Sequence, residues 1–435
     1  MWYSGHETGK NKDAYIIGGA MNIRRSLLLK LIVVFLNIFI NITHTHSATK
    51  PALVVVPAAD LVGRPMSESD IIVTYDNIPI ASGKFKRGQL CPRLHQLIFN
   101  EIVDITTEQS NEARINISNV YYLAKNNGQP QTAYWTLKKN LMPLEIIEKK
   151  GLDLNKIPKP VEFSDNGLAL HQANTITLIL PWTDKNSQRT YSVGTRFVLA
   201  ENSKKGKHYS IYLFDPEIMN FRQAHVAKNL AIENSRTYSN PQRVALFVQL
   251  LRRWAHHDNG LIPYVWGGCS FTATCKDLFE KKECGAKGPG MYYYIRKDIQ
   301  DNPCVGFDCS GMIARAAQTC GIPYFFKNTT TLACKLAPIE AKDTLHEGDL
   351  FWFPGHVMVV ASIPNNTLIE ARGYGTGYGK VHEIALSNMF RDISSYRDLL
   401  NAYFNAKPLI LLNEQQENQC KLSDYKILKL AGVWN

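Results

Sequence analysis

Short apolar runs punctuated by turn-forming residues dominate the first half of the chain. LVVVP, IIVTY, IFNEIVDITT, ARINIS and AYWTLK follow one another between residues 50 and 145. Runs rich in β-branched and aromatic residues at this spacing predict the strands of a small barrel. A Pro- and Lys-bearing stretch, 146–168, reads as a linker. A second strand-rich block, 169–235, contains TITLILPW, TRFVLA and HYSIYLFDP. The spacing then turns helical. In SNPQRVALFVQLLRRWAHH, 239–257, Val244, Phe247, Val248, Leu251 and Trp254 form one apolar stripe, which reads as core. Ser239 or Asn240 caps that helix and Pro241 fits its first turn. A second helix is predicted in GFDCSGMIARAAQTCG, 306–321, with Met312, Ile313, Ala316 and Ala317 on its apolar face. Gly306 and Asp308 supply its turn and cap, and Gly321 with Pro323 ends it. EGDLFWFPGHVMVVASIPNNTLIEA, 347–371, reads as strands at 350–353, 356–363 and 367–371, the last two joined by a Pro-Asn-Asn turn. The two strand-rich blocks are the only repetition, and there is no low-complexity tract.

The second helix carries the most chemistry. Cys309 stands at its start, where about half a positive charge favours thiolate over thiol. A cysteine so placed is a nucleophile when a base is near. His356, opening a strand, is the candidate base. Glu370 lies on the returning strand, and pairing about a tip at Asn365 sets it opposite Val360, on the face shared by His356. A bulge or shifted turn is then required to bring the carboxylate to the imidazole. A carboxylate in that place can hold the ring by its Nδ1–H and stabilise the imidazolium. His382 is the fallback for this third role. GYGTGYG, 373–379, follows a hairpin strand and opens no helix, so it reads as a loop near the cleft rather than a phosphate cradle.

PYVWGG (263–268), FDCSG (307–311), GDLFWF (348–353), HVMVV (356–360) and IEA (369–371) occur in that order. This series resembles the motifs of the NlpC-type cell-wall cysteine peptidases, a papain-like family that cuts peptidoglycan stem peptides. The resemblance covers roughly the last 190 residues. It implies an α+β papain-like domain at 236–435, with Cys309 as nucleophile, His356 as base and acid, and a polar third residue in the slot of Glu370. The family's third residue is usually His, Asn or Gln. Tyr264 matches the tyrosine beside the nucleophile, and Asp308 and Ser310 flank the nucleophile as candidate substrate contacts. ADLVGRP and YWTLKKNL resemble a bacterial SH3 domain, so 49–145 is expected to be a first all-β SH3-like barrel and 169–235 a divergent second one.

Two such barrels before this peptidase resemble the γ-D-glutamyl-diamino-acid endopeptidases. In that group the first barrel roofs the cleft and reads the free amine of the substrate's L-alanine. Glu101 is the candidate carboxylate on the barrel side. The group's amine-binding aspartate follows the nucleophile helix, where this chain has FFKNTTT, with Lys327 and Asn328 in place of an acid. No cofactor or metal is implied. Two alternatives stand beside an endopeptidase: a catalytically silent wall-binding SH3 protein, and an amidase or acyltransferase on the same fold.

Composition adds a compartment. Residues 1–48 read as an upstream extension and a signal peptide: Met21 as plausible start, Arg24 and Arg25, an apolar run from Leu31 to Ile42, then Ser47 and Ala48. The expected location is periplasmic, secreted or wall-associated, with membrane contact only through that segment during export. Of 9 cysteines, eight remain to pair if Cys309 is the nucleophile, with Cys269, Cys275, Cys284 and Cys304 in one insertion. Disulfides rank above zinc, since no C-x-x-C pair is present; a reducing compartment with free thiols is the third option. The net charge of +11 suits an anionic partner such as the cell wall. Its scatter, and the lack of a nucleic-acid motif, argue against nucleic acid.

Overall fold

The computed structural model describes residues 49–434 apart from 69–74, 76–77, 79–90, 118–120, 123–130, 164–168, 171–172, 202–205, 235–237, 258–259, 273–304, 324–325 and 374–375. The expected signal segment, most of the IIVTY run and Cys275, Cys284 and Cys304 lie outside the described residues.

The first strand-rich block supplies β1 (Lys50–Val54), β2 (Ala58–Val62), β3 (Arg93–Ile98), β4 (Ile102–Gln109), β5 (Glu112–Asn116), β6 (Ala133–Leu137) and β7 (Leu141–Pro143). They form one antiparallel sheet in the order β3-β2-β6-β5-β4-β1-β7. IFNEIVDITT, one apolar run in the sequence, is broken at Asn100, which takes φ 66°. That left-handed conformation is one asparagine tolerates better than most residues. The chain therefore turns between β3 and β4.

The second block supplies β8 (Thr175–Leu178), β9 (Arg196–Val198), β10 (His208–Asp215), β11 (Asn220–Ala227) and β12 (Ala231–Glu233). β9, β8 and β12 make a small sheet, and β10 and β11 a long hairpin. Its core is aromatic: Trp182, Tyr191 and Phe197 pack with ring centroids 5.5–5.7 Å apart. Phe99 of the first block joins them, 4.7 Å from Tyr191. The stretch read as a linker holds a helical turn at Leu144–Lys149, and its Ile147 and Ile157 are buried in the same core. Residues Thr49–Asn435 form one compact unit.

The last block has an α+β organisation. α1 (Asn240–Ala255), α2 (Cys309–Thr319), α3 (Thr329–Lys335) and α4 (Tyr396–Phe404) accompany β13 (Leu350–Phe353), β14 (His356–Ser362), β15 (Thr367–Arg372), β16 (Lys380–Ala385) and β17 (Lys426–Leu428). The strands form an antiparallel sheet in the order β16-β15-β14-β13-β17. Side chains alternate between its two faces. Val357, Val359, Ala361, Ile369 and Ala371 share a core with Phe247, Leu251 and Trp254 of α1 and Met312, Ile313 and Ala316 of α2. Phe351, Met358, Val360 and Leu368 share a second core with Tyr396 and Leu399 of α4. Both faces are covered, which is why HVMVVA reads as a continuous apolar run. Ser239, one of the two caps read from the sequence, closes a capping box with Gln242 on α1, and Asn240 lies inside the helix. Among the described residues no helix is long and apolar enough to cross a membrane.

Candidate active site

Cys309 opens α2, and the turn before it is built from two motifs that meet. Gly306–Phe307 pairs antiparallel with Cys269–Ser270, and Tyr264 bridges Phe307 from the other side. Glycine makes this approach possible. A Cβ on Gly311 would lie 1.9 Å from Gly268 O, and one on Gly268 would lie 2.4 Å from Gly306 O. Asp308 caps the helix, accepting from the Gly311 N–H and, at 3.0 Å, from the Ser310 hydroxyl. The first N–H groups of α2 have no intrahelical partner and sit at its positive end beside the buried thiol. That arrangement can hold an oxyanion.

Lys327 closes the back of this turn. Its ammonium lies 3.0 and 2.9 Å from the two oxygens of Asp308 and is buried. Burial alone would lower its pKa, but Asp308, then Cys269, shift it upward, so the lysine stays charged. Asp308 is therefore engaged by both Ser310 and Lys327. Asn328 takes φ 75° and caps α3, its Oδ1 accepting from the Thr331 N–H at 2.7 Å. The slot after the nucleophile helix thus holds a buried ion pair and a helix cap.

His356 opens β14 after a two-residue turn, opposite Phe353. In the returning hairpin Val359 pairs Ile369, Val360 pairs Leu368 and Ser362 pairs Thr367, with a bulge after Val360. Glu370 therefore falls level with Met358, two residues closer to His356 than the simple hairpin predicts. The carboxylate reaches the ring: His356 Nε2 lies 2.6 Å from Glu370 Oε2. The contact is through Nε2 and not the Nδ1 expected from sequence, which leaves Nδ1 as the nitrogen available to Cys309. Burial opposes a charge on His356. A hydrogen bond to Cys309 and its charge, followed by those of Glu370, outweigh it and bring the imidazole up to about 9. Glu370 has no exposed surface. Burial would raise its carboxyl, but Arg372, ahead of His356 and His382, holds it well below the usual carboxylate range.

The structure thus brings Cys309, His356 and Glu370 together and places Tyr264 in an isolated bridge beside the nucleophile turn. Glu101 goes elsewhere. Its Oε1 accepts from Arg315 Nη1 at 2.9 Å, and its Oε2 accepts from the Ile98 N–H at 2.9 Å. Arg315 is fully buried and also donates to Cys269 O at 2.8 Å. Nearby, Gln96 donates to Asp60 and accepts from the Cys269 N–H and Ser270 hydroxyl. This polar seam joins β2 and β3 to the underside of α2. The sequence reading missed it, although one arginine amid Met312, Ile313, Ala314, Ala316 and Ala317 is a legible signal that a helix buries a charge.

The disulfide expected at Cys269 is not formed. Its thiol is free and buried beneath α2, donating to Gly311 O at 3.4 Å, and burial pushes its pKa up. Cys320, Cys334 and Cys420 are also free, and burial pushes Cys320 up to about 12. Among the described residues no group of three or more His, Cys, Asp or Glu side chains is disposed to hold a metal ion.

No family model matches the chain, and no curated protein matches it. Solved structures do. An NlpC/P60 family protein from Bacillus cereus is 16% identical, with a TM-score of 0.45 over 77% of this chain and 94% of that one. NlpC2 from Trichomonas vaginalis is 13% identical, with a TM-score of 0.28 over 79% of this chain and 94% of its own. NlpC1 from the same organism is 12% identical, with a TM-score of 0.25 over 79% and 91%.

Proposed function

We propose that this protein is a papain-like cysteine endopeptidase acting on peptidoglycan stem peptides. The observation that carries the reading is the 2.6 Å contact between His356 and Glu370, with Cys309, at a helix start, raising the basicity of the same imidazole. A thiol at a helix N-terminus, a histidine with raised basicity and a buried carboxylate behind it make a nucleophile, base and orienting group.

The chemistry follows. His356 takes the Cys309 proton, and the thiolate attacks the amide carbonyl. The oxyanion rests on N–H groups at the start of α2. His356 then gives its proton to the leaving amine, and a thioester remains on Cys309. Water, deprotonated by His356, adds to the thioester carbonyl and expels the thiol, releasing a carboxylic acid. Glu370 holds the ring of His356 throughout and steadies it whenever it carries the proton.

The ordered motifs support the γ-D-glutamyl–diamino acid bond as the one cut. In this reading 49–145 is an SH3-like module beside the cleft, 169–235 is a second SH3-like module, 236–435 is the peptidase, and 21–48 is a signal segment that directs export to the wall compartment. Mass spectrometry of defined muropeptides after digestion tests the proposal. New amine and carboxyl ends at the D-glutamate–diamino acid junction are expected. Intact stem peptides after prolonged incubation would refute it.

A further inference from the structure

We infer that His382 is a positioning residue for this site, fixing the carboxylate of Glu370 from the side opposite His356. The inference rests on the roles proposed for Cys309, His356 and Glu370 and extends them by one residue. His382 is the direct cross-strand partner of Glu370 in the β15–β16 pairing. Its Nε2 lies 3.1 Å from Glu370 Oε1, while His356 occupies Oε2. The two atoms stand at ion-pair distance, short of a fully aligned hydrogen bond. Arg372 also faces Oε1, with Nη1 at 3.6 Å, but that nitrogen donates to Met389 Sδ at 3.2 Å while Nη2 donates to Leu412 O and Gln419 Oε1. Among the described residues the nearest donor nitrogen to Oε1 is therefore on His382.

The ring is itself held. Its Nδ1 lies 3.3 Å from Lys380 O, an acceptor. Tyr378 stacks on it at 4.5 Å with an interplanar angle of 13°. The same Tyr378 ring lies 4.9 Å from the Arg372 guanidinium carbon. Strand pairing, stacking and a backbone acceptor thus fix a side chain whose free nitrogen touches Glu370. A buried carboxylate gripped at one oxygen can swing about its last torsion, and a grip at both oxygens removes that freedom.

The test compares His382→Leu and His382→Gln in the full chain, using hydrolysis of a stem peptide and alkylation of Cys309 by iodoacetamide. The leucine variant should lower kcat by roughly tenfold, hold KM within about twofold and slow alkylation in parallel. Glutamine can still donate to Oε1 and should restore kcat to within about threefold of the wild type. Unchanged kcat and alkylation in folded His382→Leu would overturn the inference, as would a glutamine variant as impaired as leucine. If His382→Leu does not fold, Tyr378→Leu replaces it: lower kcat at constant KM supports the positioning role, and unchanged kcat refutes it. A wild type that cuts no stem peptide, but whose Cys309 alkylation still slows in His382→Leu, refutes the substrate and leaves the positioning role standing.

Discussion

Glu101 and Arg315 stand 214 positions apart in sequence and meet at 2.9 Å. Arg315 projects from the helix that carries Cys309, and Glu101 lies just before β4 of the N-terminal sheet. The contact ties the strand-rich block to the reactive helix by charge as well as by packing.

Arg315→Leu should therefore destabilise the whole unit. It leaves Glu101 without its cation and Cys269 O without a donor, and breaking one side of such a pair costs about 3–5 kcal/mol. Urea unfolding followed by circular dichroism is expected to show a lower midpoint. A midpoint equal to that of the wild type would mean the seam contributes nothing.

Glu370→Gln should reduce kcat by at least roughly tenfold with little effect on KM. The amide can still contact Nε2, but the negative charge that steadies the imidazolium is gone. Steady-state kinetics on a stem peptide decide this, and a near-wild-type kcat would remove Glu370 from the mechanism.

The pH profile should carry an alkaline limb at about 9, where His356 loses its proton. The sign is set by the upward shift from 6.5. The imidazolium contributes stability that is complete below the ordinary value and is lost as pH rises through about 9. A kcat/KM profile that stays level through that range contradicts the charge assignment.

Recognition of a free amine on the substrate should be weak. Glu101 is consumed by Arg315, Lys327 is a cation bonded to Asp308, and Asn328 caps a helix. None of these three positions offers a spare carboxylate. L-Ala-γ-D-Glu-diaminopimelate and its N-acetylated form should be cleaved at similar rates. Strong rejection of the acetylated peptide would place an acid elsewhere in the cleft.

Much of the site was legible because its parts are local. The cap at Asp308, the helix from Cys309 and the strand from His356 follow from neighbouring residues. The place of Glu370 was legible only in parity, because the bulge after Val360 sets the register and a bulge leaves no mark in alternation. The ring nitrogen that faces it was also misread, since that depends on the rotamer. Asn100 hid a turn inside an apolar run, and its left-handed backbone was the missing clue. The seam of Asp60, Gln96, Glu101 and Arg315 joins segments far apart in sequence, and hydrophobic periodicity carries no information about such pairs. Cys269 pointed to a disulfide on compartment grounds, but the packing of Gly268 against Gly311 buries its thiol under the helix.

The central claim is that one sulfur atom does the chemistry. Wild-type protein and Cys309→Ala, matched for unfolding midpoint, should be incubated with L-Ala-γ-D-Glu-diaminopimelate and followed by mass spectrometry. The account predicts free diaminopimelate and L-Ala-D-Glu from the wild type and only intact peptide from the variant. Equal product from both proteins would contradict it.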